Sequence, residues 1–315
     1  MIADPSVPVD QRAKLQLVLA VRDFAAESLG LDAGESYTTF SQLDSDTLAL
    51  VLSAARKDSF EPYTWWFPIA GRVPYHGYFS ERSARRAVEK LEREGYDAYV
   101  RPTSAFSTLG WFNDPLVSPL LRYDSVSLAN TVVHEIFHNT LYLANQAIFN
   151  ESLAQFVGAR GATTWFCEER PDPELCPRAE AMWQDELLFG GFLTDVVDEL
   201  EALYGRPDLT SEQKIAAREE VFDRARATFE ERVRPNLQVV GYSSFLTTPL
   251  NNATLISRRI YYKRLDLFEA VYQASNRDLT RTIQRIIAAV RAGGDPYEAT
   301  ERLLTERVAA GAPPG

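Results

Sequence analysis

The sequence predicts a helix-rich α+β protein with a small mixed sheet near the N-terminus and a helical C-terminal half. Three observations carry that reading. Aromatic residues, Val and Gly crowd Tyr63 to Phe79, with prolines at 68 and 74, the composition of strands joined by turns. Apolar residues recur at helical spacing from Ser127 to Gly158 and again over most of 178–292. The longest apolar run, Leu15 to Val21, is broken by Gln16, far short of the roughly 20 residues of a membrane span.

The elements follow in order. Leu15, Val18, Leu19 and Phe24 lie near helical spacing and predict an amphipathic helix over 11–29. Residues 46–56 read as a second, short helix. One or two strands then occupy Tyr63 to Phe79. Glu81 to Glu94 is a charged helix that begins after Ser80 and stops before Gly95. Asp97 to Phe106 is a further strand, followed by Ser107-Thr108-Leu109-Gly110-Trp111-Phe112. The helical pattern of 127–158 is interrupted near Asn145 to Asn150. Two long helices, 178–204 and 211–234, form a hairpin about Gly205-Arg206-Pro207-Asp208. Helices over 252–274 and 278–292 complete the chain. A sheet and helix region over 1–165 and a helical region over 166–315 are expected to make one continuous catalytic domain.

With 33 basic and 44 acidic residues the chain carries a net charge of −11, which repels phosphate. That argues against a nucleic-acid binder or a patch for anionic lipid. Met1-Ile2-Ala3-Asp4-Pro5 has neither the basic start nor the apolar middle of a signal peptide. Cys167 and Cys176 have eight residues between them, too many for a CxxC pair. A loop disulfide and two free thiols both remain open.

Two of the three histidines fall in His134-Glu135-Ile136-Phe137-His138. Histidines four apart on a helix share one face, so both imidazoles can bind one ion. Glu135 is then placed to reach a water on that ion. Val132, Val133, Ile136, Phe137 and Leu141 give this helix an apolar face to bury. A catalytic zinc needs a third protein ligand and one open position. Glu151, 13 positions after His138, follows a gap long enough for one helix to end and another to return. A carboxylate near a helix start also suits the helix dipole without any metal.

The Asn150-Glu151-Ser152-Leu153-Ala154 run resembles the third-ligand segment of the gluzincin metallopeptidases. With Phe67-Pro68-Ile69-Ala70-Gly71, Tyr75-His76-Gly77-Tyr78-Phe79 and Ser107 to Pro115, it makes the chain similar to the bacterial putative aminopeptidase family over about 10–290. Asn251-Asn252-Ala253 and Tyr261 also fit. The resemblance implies a zincin-like metallopeptidase fold and Zn2+ held by His134, His138 and Glu151. It implies Glu135 as general base, a peptide substrate, and a periplasmic or membrane-anchored location. Gluzincins bring a tyrosine or histidine to the developing oxyanion, and Tyr261 is the candidate here. They also pair extended substrate with a strand ahead of the zinc helix. Ser107, Thr108, Leu109 and Gly110 would fill that role, or serve as plain core strand.

The function expected is therefore a zinc-dependent peptidase, an aminopeptidase first. An endopeptidase or other zinc amidohydrolase on the same residues is the alternative within enzymes. A zinc-stabilised binding protein is the alternative outside them, and an intact Glu135 argues against it. An aminopeptidase also needs an acid for the substrate's α-amine. Asp114, Glu168 and Glu169 are candidates, and spacing does not choose among them. His76, within an aromatic strand, reads as a packed or substrate-facing imidazole.

Overall fold

Leu15, Val18, Val21 and Phe24 recur every three residues, and all four are buried on one face of the first helix, α1 (Val9–Glu27). The computed structural model describes residue 2, residues 4–103 and residues 114–310, with side chains as far as residue 305. Strands β1 (Phe40–Ser41), β2 (Ala49–Arg56), β3 (Trp65–Phe67), β4 (Gly71–Val73) and β5 (Tyr75–Tyr78) follow. Helix α2 (Glu81–Arg93) leads into β6 (Tyr96–Thr103), and β7 (Leu116–Val117) comes after it. β2 lies between β5 and β6, antiparallel to both, with Leu52 opposite His76 and Val100. β3 and β4 form a hairpin, and β1 pairs with β7 in parallel.

Within 46–56, residues 49–56 are therefore strand, and none of the stretch is the short helix that its composition suggests. Leu52, Ser53, Ala54 and Ala55 are all buried, because β2 is covered on both faces. A strand in that position loses the polar alternation that marks a half-exposed one. On one face Leu52, Ala54, Tyr78, Ala98 and Val100 pack with Leu91 of α2. The other face carries Val51, Tyr75, Arg101 and Thr103 toward a cavity. His76 lies on the α2 face, its ring 4.6 Å from Tyr78 and 5.5 Å from Phe67.

A 3-10 turn (Ser118–Arg122) leads into α3 (Ser125–Thr140). The Asp124 side chain caps α3 by accepting hydrogen bonds from the Val126 and Ser127 N–H groups. α4 (Ala147–Thr164) ends in a wide turn, Trp165–Glu169. A Cys167–Cys176 disulfide ties that turn to the start of α5 (Leu175–Tyr204). The turn at Gly205 folds α6 (Ser211–Thr228) back along α5, where Arg224 meets Glu199. Beyond α7 (Ser244–Thr247) come α8 (Asn252–Tyr262) and α9 (Leu265–Ala274). The helix expected over 252–274 is broken there, with Arg264 in the left-handed region at φ 56°. α10 (Leu279–Arg291) precedes a last helix, α11 (Pro296–Ala310), that the sequence reading lacks. Its signal is Asp295 ahead of a proline at the first helical position, accepting from the Tyr297 and Glu298 N–H groups.

The described chain is thus a helix-rich α+β protein. Its largest buried cluster draws on α1, α3, α4, α9, α10 and α11, so residues of both 1–165 and 166–315 share it. A second cluster, centred on Phe189, Phe192, Phe229 and Phe245, joins α5, the segment after α6 and α7. A buried ion pair, Arg218 with Asp97 at 2.7 Å, links α6 to β6. Asp97 also accepts from the Asn252 N–H, and Asn251 caps α8. These bonds fix the start of α8 on the sheet and leave Tyr261 at its far end. Among the described residues no helix is long and apolar enough to cross a membrane.

Candidate metal centre

Two helices meet here because glycine lets them. A Cβ at Gly158 of α4 would lie 2.7 Å from the Asn130 carbonyl oxygen and 3.0 Å from His134 Cβ. One at Gly161 would lie 2.8 Å from Val133 Cγ1. Backbone and branched side chains cannot yield that much room cheaply, so a larger residue would lift α4 away from His134. The connection between the helices is clamped as well. The Asn150 amide accepts from Leu143 N–H at 3.0 Å and donates to Leu143 C=O at 2.8 Å.

The clamp and the close crossing bring three side chains together. His134 Nε2 and His138 Nε2 are 3.2 Å apart, and Glu151 Oε2 is 3.6 and 3.7 Å from them. All three residues are buried. Two imidazole nitrogens facing each other beside a carboxylate require a shared proton or cation. Ligands at about 2.0–2.1 Å from a tetrahedral ion stand roughly 3.3–3.5 Å apart, so this triangle fits a small ion with little movement. The group can hold a metal ion.

Electrostatics agree with the geometry. Burial alone would raise the Glu151 carboxyl, but His138 and His134 override it and hold the pKa far below the ordinary range. Burial alone would lower His138, yet the Glu151 charge and hydrogen bond leave it raised. Glu135, one position from His134, has its pKa raised by burial, against the opposing pull of both histidines. A carboxylate so placed is a stronger base than one in water.

Two tyrosines complete this wall of a cavity of about 610 Å³. Tyr75 of β5 donates its O–H to Glu151 Oε1 at 2.8 Å, leaving Oε2 to face the imidazoles. Tyr75 was not among the residues expected. Its signal is strand alternation, which turns 75 away from the aromatic face of His76. Tyr261 of α8 lines the cavity with its ring 6.3 Å from that of His134. Its oxygen accepts from Arg101 Nη2 at 2.6 Å, so its own hydrogen is free to point elsewhere. Ser107, Thr108, Leu109 and Gly110 lie outside the described residues.

The cavity is also lined by a further carboxyl, that of Glu186 on α5. It is 6% exposed and accepts from Gln155 Nε2 at 2.9 Å. Burial, with the neighbouring Asp185 charge, pushes its pKa up to about 7. Asp185 turns the other way. Its two oxygens accept from the N–H groups of Gln238, Val239 and Val240, fixing that loop against the cavity. Glu186 also escaped the sequence reading. It sits on the apolar stripe Ala179, Trp183, Phe189, Leu193, where an acid has no packing reason to be. Of the acids the sequence offered for a substrate amine, Glu168 and Glu169 are exposed in the turn after α4. Asp114 acts on Glu135 through its charge but does not line the cavity.

A helix-rich α+β frame that buries two histidines and a glutamate at one helix crossing, beside the half-buried carboxyl of Glu135, defines a candidate metal centre. The chain belongs to the family described as "Putative aminopeptidase", whose family model matches residues 1–297. No curated protein and no solved structure gives a match.

Proposed function

We propose that the protein is a zinc-dependent aminopeptidase of the zincin type, with Zn2+ held by His134, His138 and Glu151. One observation carries the reading: the triangle of donor atoms 3.2, 3.6 and 3.7 Å apart, with Glu135 on the next position of the same helix. Two imidazoles and one carboxylate on a zinc leave a position for water, whose pKa falls toward about 7 and whose acidity the protein can then use.

Glu135 is the proton carrier in this reading. Its carboxylate takes a proton from the attacking water, and the same oxygen later hands it to the leaving amine. Partial burial keeps that carboxylate poorly solvated and so more willing to accept. Tyr75 keeps Glu151 in one orientation by occupying the oxygen that faces away from the histidines. Tyr261, anchored through its oxygen by Arg101, directs its hydrogen toward the carbonyl oxygen of the scissile bond. That hydrogen bond strengthens as negative charge develops there.

The test is metal content together with peptide hydrolysis. The purified protein should hold close to one zinc per chain and cleave unblocked peptides from the N-terminus. Glu135→Gln should keep the zinc and lower kcat by about two to four decades. Absence of transition metal even after zinc addition would end the proposal. Equal cleavage of free and acetylated peptides would leave a zinc amidohydrolase and remove the exopeptidase part.

A further inference from the structure

We infer that Glu186 is the anchor for a cationic amine on the substrate, and that the amine is the free N-terminus. The inference rests on the aminopeptidase reading for its substrate class. Its own support is the position of Glu186, which no sequence pattern singled out.

The carboxyl is inside the cavity and nearly inaccessible from outside it. Among the described residues it forms no ion pair, and its one hydrogen-bond partner is the Gln155 amide. A buried acid without a cation costs stability, whereas a glutamine there would bond equally well to Gln155. Nothing structural calls for the charge. The neighbouring acid makes the contrast plain, since Asp185 is consumed by three backbone N–H groups and Glu186 by none.

Distance fits an amine near the scissile bond. Gln155 lies one helical turn beyond Glu151 on α4, a rise of about 5–6 Å, and Glu186 contacts its amide. An extended residue spans about 3.3–3.6 Å, so one or two residues of substrate cover a separation of that order. Arg178, which also lines the cavity, is engaged with Asp124 at 3.7 Å and leaves Glu186 for a guest. Tyr242 and Tyr262, which also line the cavity, feel the Glu186 charge. An ammonium arriving there gains a charge-assisted hydrogen bond.

The experiment separates binding from cleavage. Zinc-loaded Glu135→Gln protein is titrated calorimetrically with trileucine, with N-acetyltrileucine, and with an acetylated peptide carrying one lysine side chain. Trileucine should bind roughly 10- to 100-fold more tightly than its acetylated form. Adding Glu186→Gln should bring that ratio to within about threefold, and Glu186→Asp, which keeps the charge, should restore part of it. A preference that survives Glu186→Gln overturns the assignment. So does equal binding of the two trileucines, or an acetylated lysine peptide binding as tightly as the free amine. Hydrolysis by the unsubstituted protein is measured separately. If it cleaves neither peptide while the binding preference depends on Glu186, the peptidase reading falls and the amine site stands.

Discussion

Glu151 and Glu186 are buried carboxyls on adjacent helices of one cavity, and their protonation is pushed in opposite directions. Glu151 sits between two imidazoles and a tyrosine hydroxyl and is held as an anion. Glu186 has an amide and a neighbouring anion, and its pKa rises to about 7. The loss of water is similar in the two places, so the partners decide the sign. One site can hold a cation; among the described residues the other has no counterion. The tyrosines at the end of α8 divide the same way. Tyr261 couples to Glu151 and Glu135, and Tyr262 to Glu186.

Breaking the compensated side has the largest effect. Glu151→Ala leaves two histidines, and zinc affinity should fall by at least about three decades, read by elemental analysis and by competition with a chelator. Full zinc occupancy in that variant would remove Glu151 from the ligand set. Next in size is Tyr261→Phe, which should lower kcat by about 10²- to 10³-fold with zinc content unchanged. Tyr262→Phe, on the Glu186 side, should act on KM instead. A kcat loss shared equally by the two variants would erase the division between them.

The uncompensated side predicts a pH effect of known sign. A carboxyl whose folded pKa of about 7 exceeds its unfolded value of 4.5 favours the folded state when protonated. Stability should therefore decline as pH rises from about 4.5 to about 7, by up to about 3 kcal/mol, and level off above. Glu186→Gln should abolish that decline, matching the parent near pH 4 and exceeding it near pH 8 in thermal melts. A parallel decline in both proteins would assign the effect to other groups. The smallest change belongs to Tyr75→Phe. It frees one Glu151 oxygen and should weaken zinc about 10- to 100-fold while the fold persists. Unaltered zinc affinity would reduce Tyr75 to packing.

How far each wall could be read from sequence follows from chain distance. His134, Glu135 and His138 share one helix, and Glu151 returns on the next, so local periodicity brings them together before any tertiary detail. The close approach that sharpens the triangle depends on Gly158 and Gly161, whose role appears only when α3 lies beside α4. Tyr75, Arg101 and Glu186 come from β5, β6 and α5 and meet through sheet order and helix packing, which periodicity does not encode. The same blindness turned β2 into a helix, since burial on both faces removed its alternation. The cysteines were undecidable for a related reason. Eight intervening residues permit a bond, and the wide turn at Trp165–Glu169 is what places the two Cα atoms 4.8 Å apart.

The Asp185 clamp also fixes the polarity of its wall. A peptide group has one hydrogen to give, and Gln238, Val239 and Val240 have all committed theirs to a single carboxylate. What the main chain of those three residues still offers is carbonyl oxygen. An extended chain docking in ladder fashion needs alternating complements along its length, and this strip supplies only half of them. A guest main chain lying beside these three residues meets acceptors there and must donate to them.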